Sequence, residues 1–153
     1  MIYRFDREAL TGFVHPQAWL TASGVELLTP AGAVSVAPYA DIKCVCFVRD
    51  WETDGWKQER RLFGSRPKTE GLWVRALFRD NDFLEGVLPN DLQQVDPQGY
   101  LVAPPDAFSN NQRVFVPRLA VKEFKVMGVV GSPARKAKAA AGKIAEGQGS
   151  LFE

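Results

Sequence analysis

The chain has 153 residues, 46% of them hydrophobic and 24% charged, with 19 Lys and Arg against 18 Asp and Glu. This composition fits a soluble globular protein and argues against global disorder or a fibrous repeat. A formal net charge of +1 excludes a whole-molecule attraction to nucleic acid or membrane, so any basic patch must be local.

The N-terminus, Met1-Ile2-Tyr3-Arg4-Phe5-Asp6, lacks the apolar stretch of a secretory signal. No apolar run approaches the ~18 residues that a spanning helix needs. Together these predict a cytoplasmic location and no membrane partner. Residues 1–50 read as a small β unit that opens with a short strand over residues 1–5. Leu10-Thr11-Gly12-Phe13-Val14 and Gly24-Val25-Glu26-Leu27-Leu28 follow, punctuated by Pro16 and Pro30. Pro38-Tyr39-Ala40-Asp41 predicts a short helical turn, because proline pre-sets φ at its start. The closing strand is Ile42-Lys43-Cys44-Val45-Cys46-Phe47. Cys44 and Cys46 flank Val45 and so share one strand face. Cys-x-Cys on a strand is a poor disulfide. Metal ligation would need partners, and His15 is the single histidine. Both thiols are expected to be packing or surface residues, with no metal and no cofactor.

A connector follows over residues 51–70. It places Trp51, Trp56 and Phe63 among Lys57, Arg60, Arg61, Arg66 and Lys68. Aromatic rings interleaved with cations are what single-stranded nucleic acid binding uses, with stacking at roughly 1–3 kcal/mol per base plus phosphate contacts. Asp50, Glu52, Asp54 and Glu59 dilute that charge, and tryptophans between two small units would equally serve to seal their junction.

Residues 71–131 form the second unit. Leu72-Trp73-Val74-Arg75-Ala76-Leu77-Phe78 is a strand, Asp80-Asn81-Asp82 a turn, and residues 83–88 the returning strand. The Asp80/Asp82 pair is too short a loop for the 12-residue calcium plan and is read as a hairpin turn. A third strand runs over residues 100–103, a fourth over 113–116 and a fifth over 121–130, the last preceded by a helical turn at Pro117-Arg118-Leu119-Ala120. The loop holding Asn110, Asn111 and Arg113 is the longest of this unit. Extra length on a rigid scaffold is where specificity can be added.

From Ser132 the composition shifts to Ala, Lys and Gly, which predicts a flexible basic tail over residues 132–153 carrying Lys136 and Lys138. It ends in Gln148-Gly149-Ser150-Leu151-Phe152. This resembles the short peptide, Gln then two residues then Leu-Phe, by which bacterial proteins dock on the DNA sliding clamp. On that resemblance Gln148, Leu151 and Phe152 are the partner-docking residues.

The two units repeat one another. Leu10-Thr11-Gly12-Phe13-Val14 aligns with Leu84-Glu85-Gly86-Val87-Leu88, and the block from Gly24 with the block from Gly99. Pro38 through Phe47 aligns with Pro117 through Val126. Five short strands and one helical turn per unit suit a small closed barrel. The predicted fold is therefore all-β: two tandem five-stranded Sm/SH3-like small barrels, over residues 1–50 and 71–131, plus the flexible basic tail. Units of about 50 residues bury little core alone, so the halves are expected to pack on each other or on a second copy as a homo-oligomer. Ile42-Lys43-Cys44-Val45-Cys46-Phe47-Val48-Arg49-Asp50, Gly71-Leu72-Trp73-Val74-Arg75, and Pro104-Pro105-Asp106 through Asn110-Asn111-Gln112-Arg113-Val114-Phe115-Val116-Pro117-Arg118 resemble an uncharacterised bacterial family of tandem small barrels, a resemblance that implies the fold. The units also look like Sm-type barrels, but the turns His15-Pro16-Gln17 and Pro89-Asn90-Asp91 do not reproduce the Sm RNA-reading pattern.

No nucleophile elbow, phosphate loop or dinucleotide fingerprint is present. The recurrence of Gly12, Gly24, Gly86 and Gly99 marks them as turn or bend glycines. The expected function is a non-catalytic adaptor whose barrels form a platform and whose tail docks a protein partner, with the sliding clamp as candidate. The alternative is an RNA or single-stranded DNA binder. It would work through Trp51, Trp56, Arg60, Arg61, Arg66, Lys136 and Lys138.

Overall fold

Alternation of apolar and polar residues with period two sets the strands, and the proline and glycine positions end them. The structure, a computed structural model, describes residues 1–51, 61–105 and 110–131. It contains nine strands: β1 (Ile2–Arg4), β2 (Val25–Leu28), β3 (Val34–Ala37), β4 (Ile42–Val48), β5 (Gly71–Phe78), β6 (Phe83–Leu88), β7 (Gly99–Val102), β8 (Asn111–Pro117) and β9 (Val121–Val130). Short 3-10 turns lie at Tyr39–Asp41, Leu92–Gln94 and Arg118–Ala120. The described residues hold no α-helix, so no helix there is long and apolar enough to cross a membrane. The protein is all-β.

The strands form three sheets, ordered β1-β4-β8-β7, β2-β3 and β6-β5-β9. None closes into a barrel, which departs from the two closed five-stranded units expected. Two things open them. The residue 10–14 segment is no full strand and pairs through its backbone only at the bridges Ile2↔Leu10 and Phe13↔Leu28. Likewise β6 and β7 lie side by side without a ladder, and the single bridge Val87↔Ala103 falls just past the end of β7. In addition, β8 pairs across the halves with β4, in the register Val45↔Phe115, Cys46↔Val114 and Phe47↔Arg113.

The repeat itself is drawn in the backbone. The bridge Phe13↔Leu28 has its equivalent in Val87↔Ala103. A Cβ on Gly12 would strike Leu27 and Leu28, and one on Gly86 would strike Val102 and Ala103. A Cβ on Gly24 would overlap the Ala37 carbonyl, and one on Gly99 the Val116 carbonyl. Each glycine thus exists because a neighbouring strand passes too close for a side chain, and the neighbours correspond as well. The prolines match in the same way: Pro38 and Pro117 open equivalent 3-10 turns.

The cross-half pairing makes the two cores exchange residues. One core gathers Ile2, Val25, Leu27, Tyr39, Ile42 and Val45 from the N-terminal half and takes Phe115 from β8. The other gathers Val74, Phe78, Leu84, Val102, Val114 and Val116 and takes Cys44 and Cys46 from β4. The side-chain alternation of a strand explains this, since neighbours on β4 point to opposite faces and both faces are covered.

Candidate interaction surface

The connector is tied down where it is described. The Glu85 backbone N–H donates to the Arg61 carbonyl at 2.6 Å. The Glu85 carboxylate is buried, 1% exposed. It accepts from Trp73 Nε1 at 2.8 Å, from the Phe63 backbone N–H at 3.3 Å and from Arg75 at 3.4 Å. A buried charge needs such partners, so Glu85 holds the connector against β5 and β6. Arg61 forms an ion pair with Asp82. Arg66, further along, donates to the Val129 carbonyl at 2.5 Å. The two arginines therefore sit at opposite ends of the β5–β9 pair, one by the β5–β6 turn and one by the end of β9. They do not converge on one basic patch.

The Asp80-Asn81-Asp82 turn is gripped by both halves. Lys43 reaches Asp80 at 2.7 Å and Asp82 at 2.8 Å, while its repeat equivalent Lys122 donates to Asn81 Oδ1 at 2.5 Å. Burial pulls the Lys43 pKa down, but the two carboxylates more than offset this and hold it above its usual 10.5. Arg79, the next residue back, donates to the carbonyls of Ala40 and Leu119, which are equivalent positions in the two 3-10 turns. It also stacks over the Phe5 ring at 3.9 Å. This polar cluster locks the halves together. The expected hairpin turn is there between β5 and β6, with Asn81 at φ 69°, and its carboxylates also serve the junction.

Of the residues expected in a variable loop, Asn111 and Arg113 lie in β8, paired with β4, and only Asn110 precedes the strand. Asn110 Oδ1 accepts from the Asp50 N–H at 2.8 Å, and its Nδ2 donates to the Asp50 carbonyl at 2.9 Å. Its side chain therefore imitates a strand partner and extends the β4–β8 pairing by one step. Asn111 is buried, with Oδ1 unpartnered among the described residues, at the bulge where Val48 meets it. Arg113 is exposed opposite Phe47.

Just beyond that bulge lies an open cleft of about 520 Å³ bounded by Phe13, Phe47, Arg49, Asp50, Trp51 and Gln112. Trp51 and Phe13 meet with ring centroids 5.2 Å apart at 59° and are 44% and 60% exposed. Two large aromatics left in water mark a surface that can bury against something. The junction itself is sealed by an aromatic the sequence reading missed. Trp19 packs edge-on to Phe47 at 5.2 Å and to Phe115 at 5.0 Å.

Cys46 is among the residues behind this cleft, but it is 1% exposed. Cys44 and Cys46 are free, buried and 3.9 Å apart at sulfur. Burial, together with the neighbouring Cys46, pushes the Cys44 thiol up. His15 accepts the Gln17 N–H at Nδ1 in an exposed turn. The described residues hold no group of three or more His, Cys, Asp or Glu placed to bind a metal ion. Trp56, Arg60, Lys136, Lys138, Gln148, Leu151 and Phe152 lie outside the described residues.

The fold and this surface define an all-β protein built on an internal repeat. The chain belongs to the family of unknown function DUF6982, whose sequence profile matches residues 1–128. Residues 132–153, with the Gln148–Phe152 motif, lie beyond that match. No curated protein and no solved structure matches the chain.

Proposed function

We propose that this protein is a non-catalytic adaptor: a rigid two-unit body with a C-terminal segment that docks a protein partner. The candidate partner is the DNA sliding clamp, engaged through Gln148, Leu151 and Phe152. Each half is a small-barrel unit of the Sm/SH3 kind in a partly opened form. The strand order within each half supports that reading, with β9-β5-β6-β7-β8 in one and β4-β1-β2-β3, joined through the residue 10–13 bridges, in the other. The observation that carries the adaptor reading is the exchange of core residues across β4 and β8. It makes one rigid body of two small units, which suits a carrier better than a device that opens and closes. The test is a titration of purified sliding clamp with the full chain, followed by light scattering or anisotropy. Leu151→Ala with Phe152→Ala should weaken binding at least tenfold. Equal binding by the parent and the double variant removes the clamp from consideration.

The exposed Phe13–Trp51 pair beside Arg49 favours a second reading, binding of single-stranded RNA or DNA. Base stacking on these rings would be worth roughly 1–3 kcal/mol per base. A titration with labelled oligonucleotide at low salt checks this, and Trp51→Ala should abolish most of the signal.

A further inference from the structure

We infer that copies of this chain join head to tail, β3 of one copy pairing antiparallel with β9 of the next. This contact would repeat between chains the β4–β8 join made within each chain. The inference is independent of any partner of the tail.

The internal repeat carries the argument. Pro38 corresponds to Pro117 and Ile42 to Val121, so β3 is the equivalent of β8 and β4 the equivalent of β9. Within the chain, β8 of the second unit lies on β4 of the first. The strands left over are β3 and β9, which are the same two surfaces again. Among the described residues β3 pairs only with β2, and β9 only with β5. A unit that accepts its neighbour at one edge and offers its other edge makes a heterologous contact, which closes into a ring or runs on as a filament.

The backbone groups point the right way. Glu26 N–H donates to Trp19 and Leu28 N–H to Phe13, away from β3. Hydrogen-bonding direction alternates along a strand, so Val25 and Leu27 bond to Ala37 and Ser35, leaving the N–H and C=O of Val34 and Val36 outward. On the other edge, Phe78 N–H turns to Asp82 and Arg79 N–H to Ala120. Arg75 and Leu77 then bond to Lys125 and Glu123, and Phe124 and Val126 face outward. Transposing Val45↔Phe115 and Phe47↔Arg113 gives the expected register, Phe124↔Val36 and Val126↔Val34. The four residues whose backbone faces outward, unpaired by any strand among the described residues, are the four that this register needs.

The side chains agree. Val34, Val36 and Val126 are 67%, 44% and 59% exposed, an unguarded apolar edge of the kind proteins ordinarily shield. In the first unit Phe115 belongs to the core cluster of Val25, Tyr39 and Val45. The equivalents of those three are Tyr100, Arg118 and Phe124, and they line an open apolar cleft of about 480 Å³ in the second unit, together with Val95 and Val126. The equivalent of Phe115 is Val36. In the second unit Tyr100 and Phe124 stack on each other at 3.9 Å, and the cleft beside that stack stays open where the first unit holds Phe115, so Val36 of another copy is the residue placed to enter it.

The full chain should run well above its 17.0 kDa monomer mass in light scattering at tens of micromolar. Val36→Lys and Val126→Lys, both at exposed positions, should each return the protein to a monomer that keeps the parent's circular dichroism spectrum and a cooperative thermal transition, lowered only by the lost association. Mixed together, these two variants should form a one-to-one dimer, because each retains the edge the other lacks. Ser35→Cys mixed with Lys125→Cys should give a covalent dimer on oxidation, and neither should alone. Opposed Cα atoms at a non-hydrogen-bonded pair lie about 4.5 Å apart, within disulfide reach. A monomeric parent chain, an oligomer unaffected by either lysine, or no complementation in the mixture overturns the head-to-tail contact. An oligomer whose cysteine mixture fails to cross-link overturns the register.

Discussion

Replacing Phe115 with alanine would destabilise the half of the protein to which Phe115 does not belong in sequence. The side chain is 1% exposed and projects from β8 into the N-terminal core, edge-on to Trp19 at 5.0 Å. Removing a buried phenylalanine costs about 3–5 kcal/mol when the site collapses only in part. Of this, the edge-to-face contact accounts for roughly 0.5–1.5 kcal/mol. For a chain of this size each kcal/mol lowers Tm by about 2–4 °C, so a fall of about 6–20 °C is expected. Phe115→Leu keeps most of the volume and should lose only about 1–2 kcal/mol. Differential scanning calorimetry gives the magnitude, and native-state hydrogen exchange gives the location. Amides of β2 and β4 should lose protection in step with those of β7 and β8. Protection lost in β5–β9 alone, with residues 1–48 unchanged, would refute the shared-core account, as would two separate transitions in the parent chain.

Gly24→Ala should cost at least about 1–3 kcal/mol, because its Cβ would overlap the Ala37 carbonyl. Gly64→Ala, with open space around it, should change stability by less than about 0.5 kcal/mol, and urea titration of the two variants distinguishes them. The Lys43 ammonium has its pKa raised above 10.5 in the folded state, so its contribution is complete below the unfolded value and is lost as pH climbs through the folded one. Thermal melts from pH 9 upward should therefore show an alkaline loss of stability that Lys43→Met lacks. A thiol-specific reagent should label neither cysteine in the native protein, and both of the 2 present once it is denatured.

The repeat and its glycines were legible because close backbone approach leaves glycine as the only choice, and such positions survive in both halves. The prolines before the 3-10 turns were legible for a similar reason, since a fixed φ has few substitutes. What the halves do to each other was harder to see. Cys44-Val45-Cys46-Phe47 read as an apolar run with two thiols on one face, and the thiols are indeed packed. The unbroken apolar run itself meant burial on both faces, and that was the available sign that β4 lies between two cores. Lys43 and Lys122 aligned as equivalent, but one turn, Asp80 to Asp82, receives them both, and no alignment of the halves reveals a shared ligand. Arg61 and Arg66 serve packing at separate places, while Trp51 keeps nearly half its surface in water beside Phe13, an exposed partner that spacing alone did not suggest.

The β4–β8 pairing joins residues 70 positions apart, as in Val45↔Phe115. During synthesis at about 5–20 residues per second, the first half waits roughly 4–14 s for the strand that completes it. Throughout that interval β4 is an apolar ribbon with one edge bare and a core short of its phenylalanine. The nascent chain thus passes through a stage in which it is most vulnerable to pairing with the wrong strand. Synonymous changes that slow translation between codons 50 and 110 would lengthen that stage without altering a single residue of the finished protein.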